Sequence, residues 1–129
     1  MGSRREQVQR YVAQLDGPSA DDAWHALVEL GDLALSDIVG AFDVATQPSV
    51  RRSLVEVACE YRSPVAAPFL ARCLEDADLA IRKAALDGFV TLGGEVALAS
   101  LALARKSAGP DWRSWIDEAA RQIRQGRDS

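Results

Sequence analysis

Apolar residues recur every three to four positions along most of this chain, in about eight stretches separated by glycine, proline or small polar residues. That spacing is the signature of amphipathic helices rather than strands, whose period is two. Ser3 and Glu6 stand at capping-box spacing and open a first helix that reaches about Leu15. Asp16-Gly17-Pro18 then stops it. A second helix is expected over about Asp21 to Leu30, ended by Gly31, and a third over about Leu33 to Val44. Pro48 or Ser49 opens the fourth, which runs to Tyr61. Pro64 falls in the first turn of the fifth, where a missing N–H costs nothing. The sixth follows Asp78 and stops at Gly93-Gly94, and the seventh covers about Glu95 to Lys106. Gly109-Pro110-Asp111 opens the eighth, with Gly126 as its end.

The helices repeat. A shift of about 31 positions carries Val50-Arg51 onto Ile81-Arg82 and then onto Trp112-Arg113. Leu54, Ala85 and Ile116 form one column with Ala23, and Ala58, Phe89 and Ala120 another. Leu30, Tyr61 and Leu92 recur at the end of the same helix. The alternate helices keep the same period through Val8, Val39, Leu70 and Leu101, and through Tyr11, Phe42, Cys73 and Ala104. One helix pair cannot bury its apolar face alone, so pairs that repeat in this way must stack and share a core. The expectation is an all-α superhelix of about four stacked hairpins in one domain, 1–129, with repeats near 3–33, 34–64, 65–95 and 96–126.

One repeat carries a family resemblance. The segment Asp76-Ala77-Asp78-Leu79-Ala80-Ile81-Arg82-Lys83-Ala84-Ala85-Leu86 resembles the turn and second helix of the HEAT repeats in their short bacterial form. Asp76, Ile81 and Arg82 keep that family's spacing, and Leu92-Gly93 is similar to its usual ending. The resemblance spans about residues 20–105 and weakens toward both ends; armadillo-like or irregular stacking is the alternative. It implies a scaffold that binds partners on a curved surface, with the second helix of each pair on the concave side. It also implies an aspartate–arginine ladder between adjacent repeats. Ala45 and Ser107 occupy the positions matching Asp76, so that ladder should be incomplete.

Composition narrows the function. Alanine and leucine dominate, and aromatics make up only 6% of the chain, which suits closely packed helices. A net charge of −4 and a pI near 4.9 argue against nucleic acid as the partner, although Arg121, Arg124 and Arg127 make a short basic edge. No apolar run approaches the ~20 residues that span a bilayer, and no charged-then-apolar leader occurs. The expected setting is cytoplasmic, without membrane attachment. Cys59 and Cys73 sit among apolar neighbours and read as small buried hydrophobes rather than a disulfide. Two cysteines and the distant His25 are too few for zinc.

Catalytic chemistry is not expected. His25 has no nucleophile arranged around it, and Gly93-Gly94 follows a helix rather than a strand, so it caps instead of cradling phosphate. The histidine–glutamate pairs by which one enzymatic HEAT-like family holds iron are absent. No cofactor is implied. Trp112 and Trp115 share a helix face with Ile116, Ala119 and Ile123, which reads as a core stripe with Trp115 partly outside it. Trp24 falls in the column of Val55 and Leu86 and is assigned to packing.

The remaining positions on the second helices form charged ladders. His25, Glu56, Asp87 and Glu118 make one, and Glu29, Glu60, Thr91 and Gln122 the next, giving a stripe of five carboxylates. A basic row of Arg52 and Lys83, with Arg51, Arg82 and Arg113 one position earlier, runs beside it. A solvated face with pairs such as Arg52–Glu56 and Lys83–Asp87 is one reading. The other is a charged groove for a protein with a basic surface, its binding residues Glu29, Arg52, Glu56, Glu60, Lys83, Asp87 and Glu118. The function expected from this is noncatalytic protein binding by a chain that is monomeric apart from its partner. An immunity protein or other stoichiometric inhibitor that neutralises a bacterial toxin is the leading case. Abundant Ala, Arg and Asp with only two lysines fit a bacterial source. A scaffold or regulatory adaptor domain of a larger assembly is the alternative.

Overall fold

Helix hairpins stack in two layers throughout the computed structural model, which describes residues 3–127. Met1, Gly2, Asp128 and Ser129, at the ends of the expected 1–129 domain, lie outside the described residues, as does the side chain of Arg127. The helices are α1 (Arg4–Val12), α2 (Ala20–Glu29), α3 (Leu35–Val44), α4 (Pro48–Glu60), α5 (Ala67–Cys73), α6 (Leu79–Leu92), α7 (Gly94–Arg105) and α8 (Pro110–Arg127). Among the described residues there is no strand. Each odd helix packs on the even helix that follows it. The even helices form one layer, α2 on α4, α4 on α6 and α6 on α8; in the other, α1 meets α3 and α5 meets α7. Between α3 and α5 the rings of Phe42 and Phe69 meet edge to face, 5.1 Å between centroids.

Local chemistry sets most of the boundaries. The Ser3 hydroxyl accepts the Glu6 N–H at 3.2 Å, and the Asp78 carboxylate accepts the Ala80 N–H at 2.9 Å, each satisfying a first-turn donor. Pro48 and Pro110 begin α4 and α8 with a residue that has no N–H to lose. Four boundaries differ from expectation. The first helix ends at Val12, because the N–H groups of Gln14 and Leu15 turn back to Tyr11 and Val12 in a tighter coil before Gly17. The third and fifth start with tight turns, Asp32–Ala34 and Pro64–Ala66, before α-geometry begins at Leu35 and Ala67. In the fifth, Pro64 and Pro68 both lack donors, and regular helix shrinks to Ala67–Cys73. The last helix runs through Gly126 to Arg127 instead of closing there.

The 31-residue period reaches into the backbone. Gly31, Arg62 and Gly93 occupy the same turn in successive repeats, and all three have positive φ, +78°, +50° and +66°. Arginine pays a steric cost there that glycine does not.

The core follows the predicted columns in part: Leu30, Tyr61 and Leu92 are all half-buried, as are Tyr11 and Ala104. Leu54, Ala85 and Ile116 are buried with Ala23, and Ala58 and Phe89 are buried while Ala120 in their column is half-buried. In the odd helices Val8, Leu70 and Leu101 are buried, but in α3 Ile38 is fully buried and Val39 only half. Gly88 lets α6 approach α4: a Cβ there would lie 2.3 Å from the Cys59 sulfur. One rung of the expected ladder forms. Arg51 donates from Nη2 to Asp76 Oδ2 at 2.8 Å and from Nη1 to Oδ1 at 3.4 Å, its guanidinium 4.3 Å from the Phe42 ring centroid. The Arg51 guanidinium in turn holds the Asp76 carboxyl below the usual carboxylate range.

Candidate interaction groove

The even-helix layer carries a shallow groove of about 410 Å³ between α4 and α6, flanked by Trp24 of α2. Arg52, Glu56 and Glu60 stand on its α4 side, and Lys83, Asp87 and Thr91 on its α6 side. Its floor is made of small groups: Ala80, Ala84, Gly88 and Cys59. The first three of these are spaced four apart on α6, so they line one face of the helix and keep it low.

Five of the seven predicted binding residues therefore share this groove: Arg52, Glu56, Glu60, Lys83 and Asp87. The other two do not line it. Glu29 is exposed on α2, and Glu118 is engaged on α8 by Arg121 and Gln122. α2 and α8 lie in the same layer on the outer sides of the α4–α6 pair, so these two residues stand on the helices that flank the groove rather than on its walls.

The charges are not evenly paired. Arg52 Nε reaches Glu56 at 3.7 Å across one helical turn. The expected Lys83–Asp87 pair is absent: the Lys83 ammonium lies 4.5 Å from the Trp115 ring centroid on α8. The ring face attracts the cation, and α8 brings it within reach of α6. Glu60 and Asp87 make no ion pair among the described residues. Both bear on the groove floor. Burial pushes the Cys59 thiol up to about 12, with Cys73 and then Asp87, Glu56 and Glu60 adding to the rise. A thiol so shifted stays protonated at neutral pH and is a poor nucleophile. Cys73, buried on α5, is likewise pushed up to about 12, mainly by burial. Both cysteines are free.

The other basic row turns away from the groove. Arg51 reaches Asp76, Arg82 donates to the carbonyls of Asp76 and Ala77, and Arg113 donates to that of Ala108. Their common function is to hold the turns between paired helices. His25 lies on α2 with Nε2 3.7 Å from an Asp21 carboxylate oxygen and its ring edge-on to Trp24. Trp24 is only half-buried, unlike Val55 and Leu86 in its column, and forms part of the groove wall. Trp115 is 51% exposed, while Ile116, Ala119 and Ile123 are buried, so it stands outside the α8 core stripe. Trp112 is half-buried beneath Arg82, 5.1 Å from guanidinium carbon to ring centroid. Sequence reading missed the floor; the signal was the Ala80, Ala84, Gly88 stripe on α6.

A larger hollow of about 700 Å³ opens between α1 and α3, lined by residues such as Val8, Val12 and Ala41. Gly40 helps create it, since a Cβ there would meet no atom within 4 Å. It gathers none of the predicted binding residues. Among the described residues, no group of three or more His, Cys, Asp or Glu side chains is placed to hold a metal ion. No helix there is long and apolar enough to cross a membrane.

Two layers of in-register hairpins with one recurrent turn define an α-solenoid. Residues 41–121 match the family described as HEAT repeats, which covers more than half of the chain, and the chain belongs to that family. The match takes in α4 to α7 whole and parts of α3 and α8; α1 and α2 continue the same stacking beyond it. HEAT repeats generally mediate protein–protein interaction, and their solenoid is typically noncatalytic. A search of curated proteins found no match.

Proposed function

We propose that this chain is a noncatalytic binding module that uses the α4–α6 groove to take a protein with a basic surface. The observation that carries the reading is the charge state of the groove. Its two cations are engaged, Arg52 by Glu56 and Lys83 by Trp115, which leaves Glu60 and Asp87 without an ion partner. A lysine or arginine from a partner supplies the missing charge, and the low floor of Ala80, Ala84 and Gly88 admits its aliphatic stem. Such contacts act mainly on association rate and specificity, and weaken with salt.

Within that reading, we favour a stoichiometric inhibitor, an immunity protein that neutralises a cationic bacterial toxin. The acidic charge and the Ala-, Arg- and Asp-rich composition with two lysines support this. The experiment is co-expression in a bacterial host with the toxin encoded beside the gene. Rescue of growth by the wild type and its loss with Glu60→Lys/Asp87→Lys is the expected result. Rescue that survives the double reversal in folded protein removes the groove from the mechanism.

A second reading, an adaptor domain within a larger assembly, is favoured by one feature outside the groove. Leu33, Val65 and Val96 stand at matching places near the starts of the odd helices, and are 72%, 65% and 47% exposed. An apolar row in register suits docking of a neighbour. Loss of a complex with Leu33→Lys/Val65→Lys, and not with the groove variant, would identify that row as the binding surface.

A further inference from the structure

The turn between α7 and α8 stands 31 positions after the turn between α5 and α6, and the aspartate that answers the arginine is among the groups changed. At the earlier turn the Asp76 carboxylate receives two guanidinium bonds from Arg51 of the preceding repeat. At the later one the preceding repeat offers Arg82, and Ser107 stands in the aspartate's place. The Ser107 hydroxyl turns to its own helix, 3.5 Å from the Ala104 carbonyl. Arg82 is only partly engaged. Nη1 donates to the Asp76 carbonyl at 2.9 Å and more weakly to that of Ala77 at 3.4 Å. Its Nη2, the counterpart of the atom by which Arg51 makes its shorter bond to Asp76, makes no hydrogen bond among the described residues, and its buried Nε lacks an acceptor there, as does that of Arg113. A guanidinium has five N–H donors in one plane, and one whose buried donor lacks an acceptor is costly to hold.

Arg82 also lines a cleft. It measures about 410 Å³ and is bounded by Leu74, Glu75, Ala104, Ser107 and the Trp112 ring. The equivalent cleft one repeat earlier, about 510 Å³, has Arg51 and Asp76 in its wall. The two clefts thus differ in the group that answers the arginine. Glu75 is the one carboxylate on the later cleft's wall, but it is exposed and makes no ion pair with Arg82.

We infer that the cleft between Arg82, Ser107 and Trp112 is a carboxylate-binding subsite, in which a ligand's carboxylate takes the part that Asp76 plays for Arg51. The acid is met by the Arg82 guanidinium edge and by the Ser107 hydroxyl, which can swing from a long bond to Ala104 and donate outward. Charge-assisted bonds of this kind are short and directional, and Arg presents them in the plane a carboxylate matches. The carboxylate comes either from a small free acid or from an acidic side chain of a bound protein. This inference stands apart from the groove reading, since it uses a different surface and the opposite charge.

The test is an NMR titration of labelled protein at constant ionic strength, with acetate and separately with a blocked aspartate peptide. The Trp112 indole and Ser107 amide signals report, with sodium chloride as the control. Saturable shifts with half-saturation on the order of tens of millimolar are expected for one such charged contact. Ser107→Asp supplies the carboxylate internally, so it should abolish the titration and raise the denaturation midpoint. Ser107→Ala removes one of the two proposed contacts and should weaken the titration, and Glu75→Gln should tighten it. Tighter binding of the peptide than of acetate assigns the site to a partner's acidic side chain; the reverse assigns it to a small acid. Shifts that chloride reproduces, or a Ser107→Asp protein that titrates like wild type, overturn the inference.

Discussion

Replacing Asp76 by alanine removes three bonds from one turn. Two come from Arg51, at 2.8 and 3.4 Å, and one from the Asp78 N–H at 2.9 Å. The side chains of Arg51 and Asp76 are 25% and 15% exposed, so the pair is largely shielded but touches solvent at its rim. Solvent screening therefore puts the ion pair at the low end of the charged-bond range, about 1.5–2 kcal/mol. The lost turn bond adds roughly 0.5–1 kcal/mol, by comparison with caps of the same kind. The sum is about 2–3 kcal/mol, or roughly 10 °C in Tm for a domain of this length. Urea and thermal unfolding followed by helical circular dichroism measure it. Asp76→Asn separates the terms, since the amide oxygen still accepts from Asp78 while the charge is gone; a loss of about 1 kcal/mol is expected. The pH dependence has a definite sign. Asp76 has a folded pKa below its unfolded value, so its extra stability is fully present above the unfolded value of about 3.9. It is lost as pH falls through the folded pKa. The gap between wild type and Asp76→Asn should therefore be constant from pH 5 to 7 (roughly) and shrink in acid. An Asp76→Ala protein within about 0.5 kcal/mol of wild type would refute the argument, because surface changes without such a mechanism already fall in that range.

Arg62→Gly should stabilise by about 0.5 kcal/mol, as relief of the positive φ, worth about 1–2, outweighs glycine's entropy cost of about 0.5–1; urea midpoints read the difference. Gly88→Ala drives a methyl group into Cys59 and should cost about 1–3 kcal/mol, as overpacking does. Cys59→Ala in the same chain should recover part of that loss, and calorimetry of the four proteins gives the coupling. Trp115→Ala should free Lys83, seen as a change in its ammonium NMR signal, with little change in stability because the ring is half exposed.

The solenoid was legible because two helix types keep one period, and that period tied distant columns such as Leu54, Ala85 and Ile116 into one core. The incomplete ladder was legible too, from Ala45 and Ser107 at the aspartate positions. Rotation about the helix axis was harder. Arg51, Arg82 and Arg113 neighbour the groove residues in sequence, yet about 100° per residue carries them toward the turns. Nor does i,i+4 spacing show that a cation will choose an aromatic ring on the next helix, as Lys83 does with Trp115. Trp24 and Val55 share a column, but only the latter has helices on both sides, so the former is left in the groove wall. Register along the ladder identifies equivalent positions; it does not say that Glu29 and Glu118 converge on a groove set between the two middle helices.

The most direct measurement is the affinity of a partner captured from the native host for wild type and for Glu60→Lys/Asp87→Lys, taken across a series of salt concentrations. Binding at least about tenfold weaker in the folded variant, with a shallower salt dependence, is the predicted result. Equal affinity and equal salt dependence in both proteins would contradict the claim that the α4–α6 groove is where this chain meets its partner.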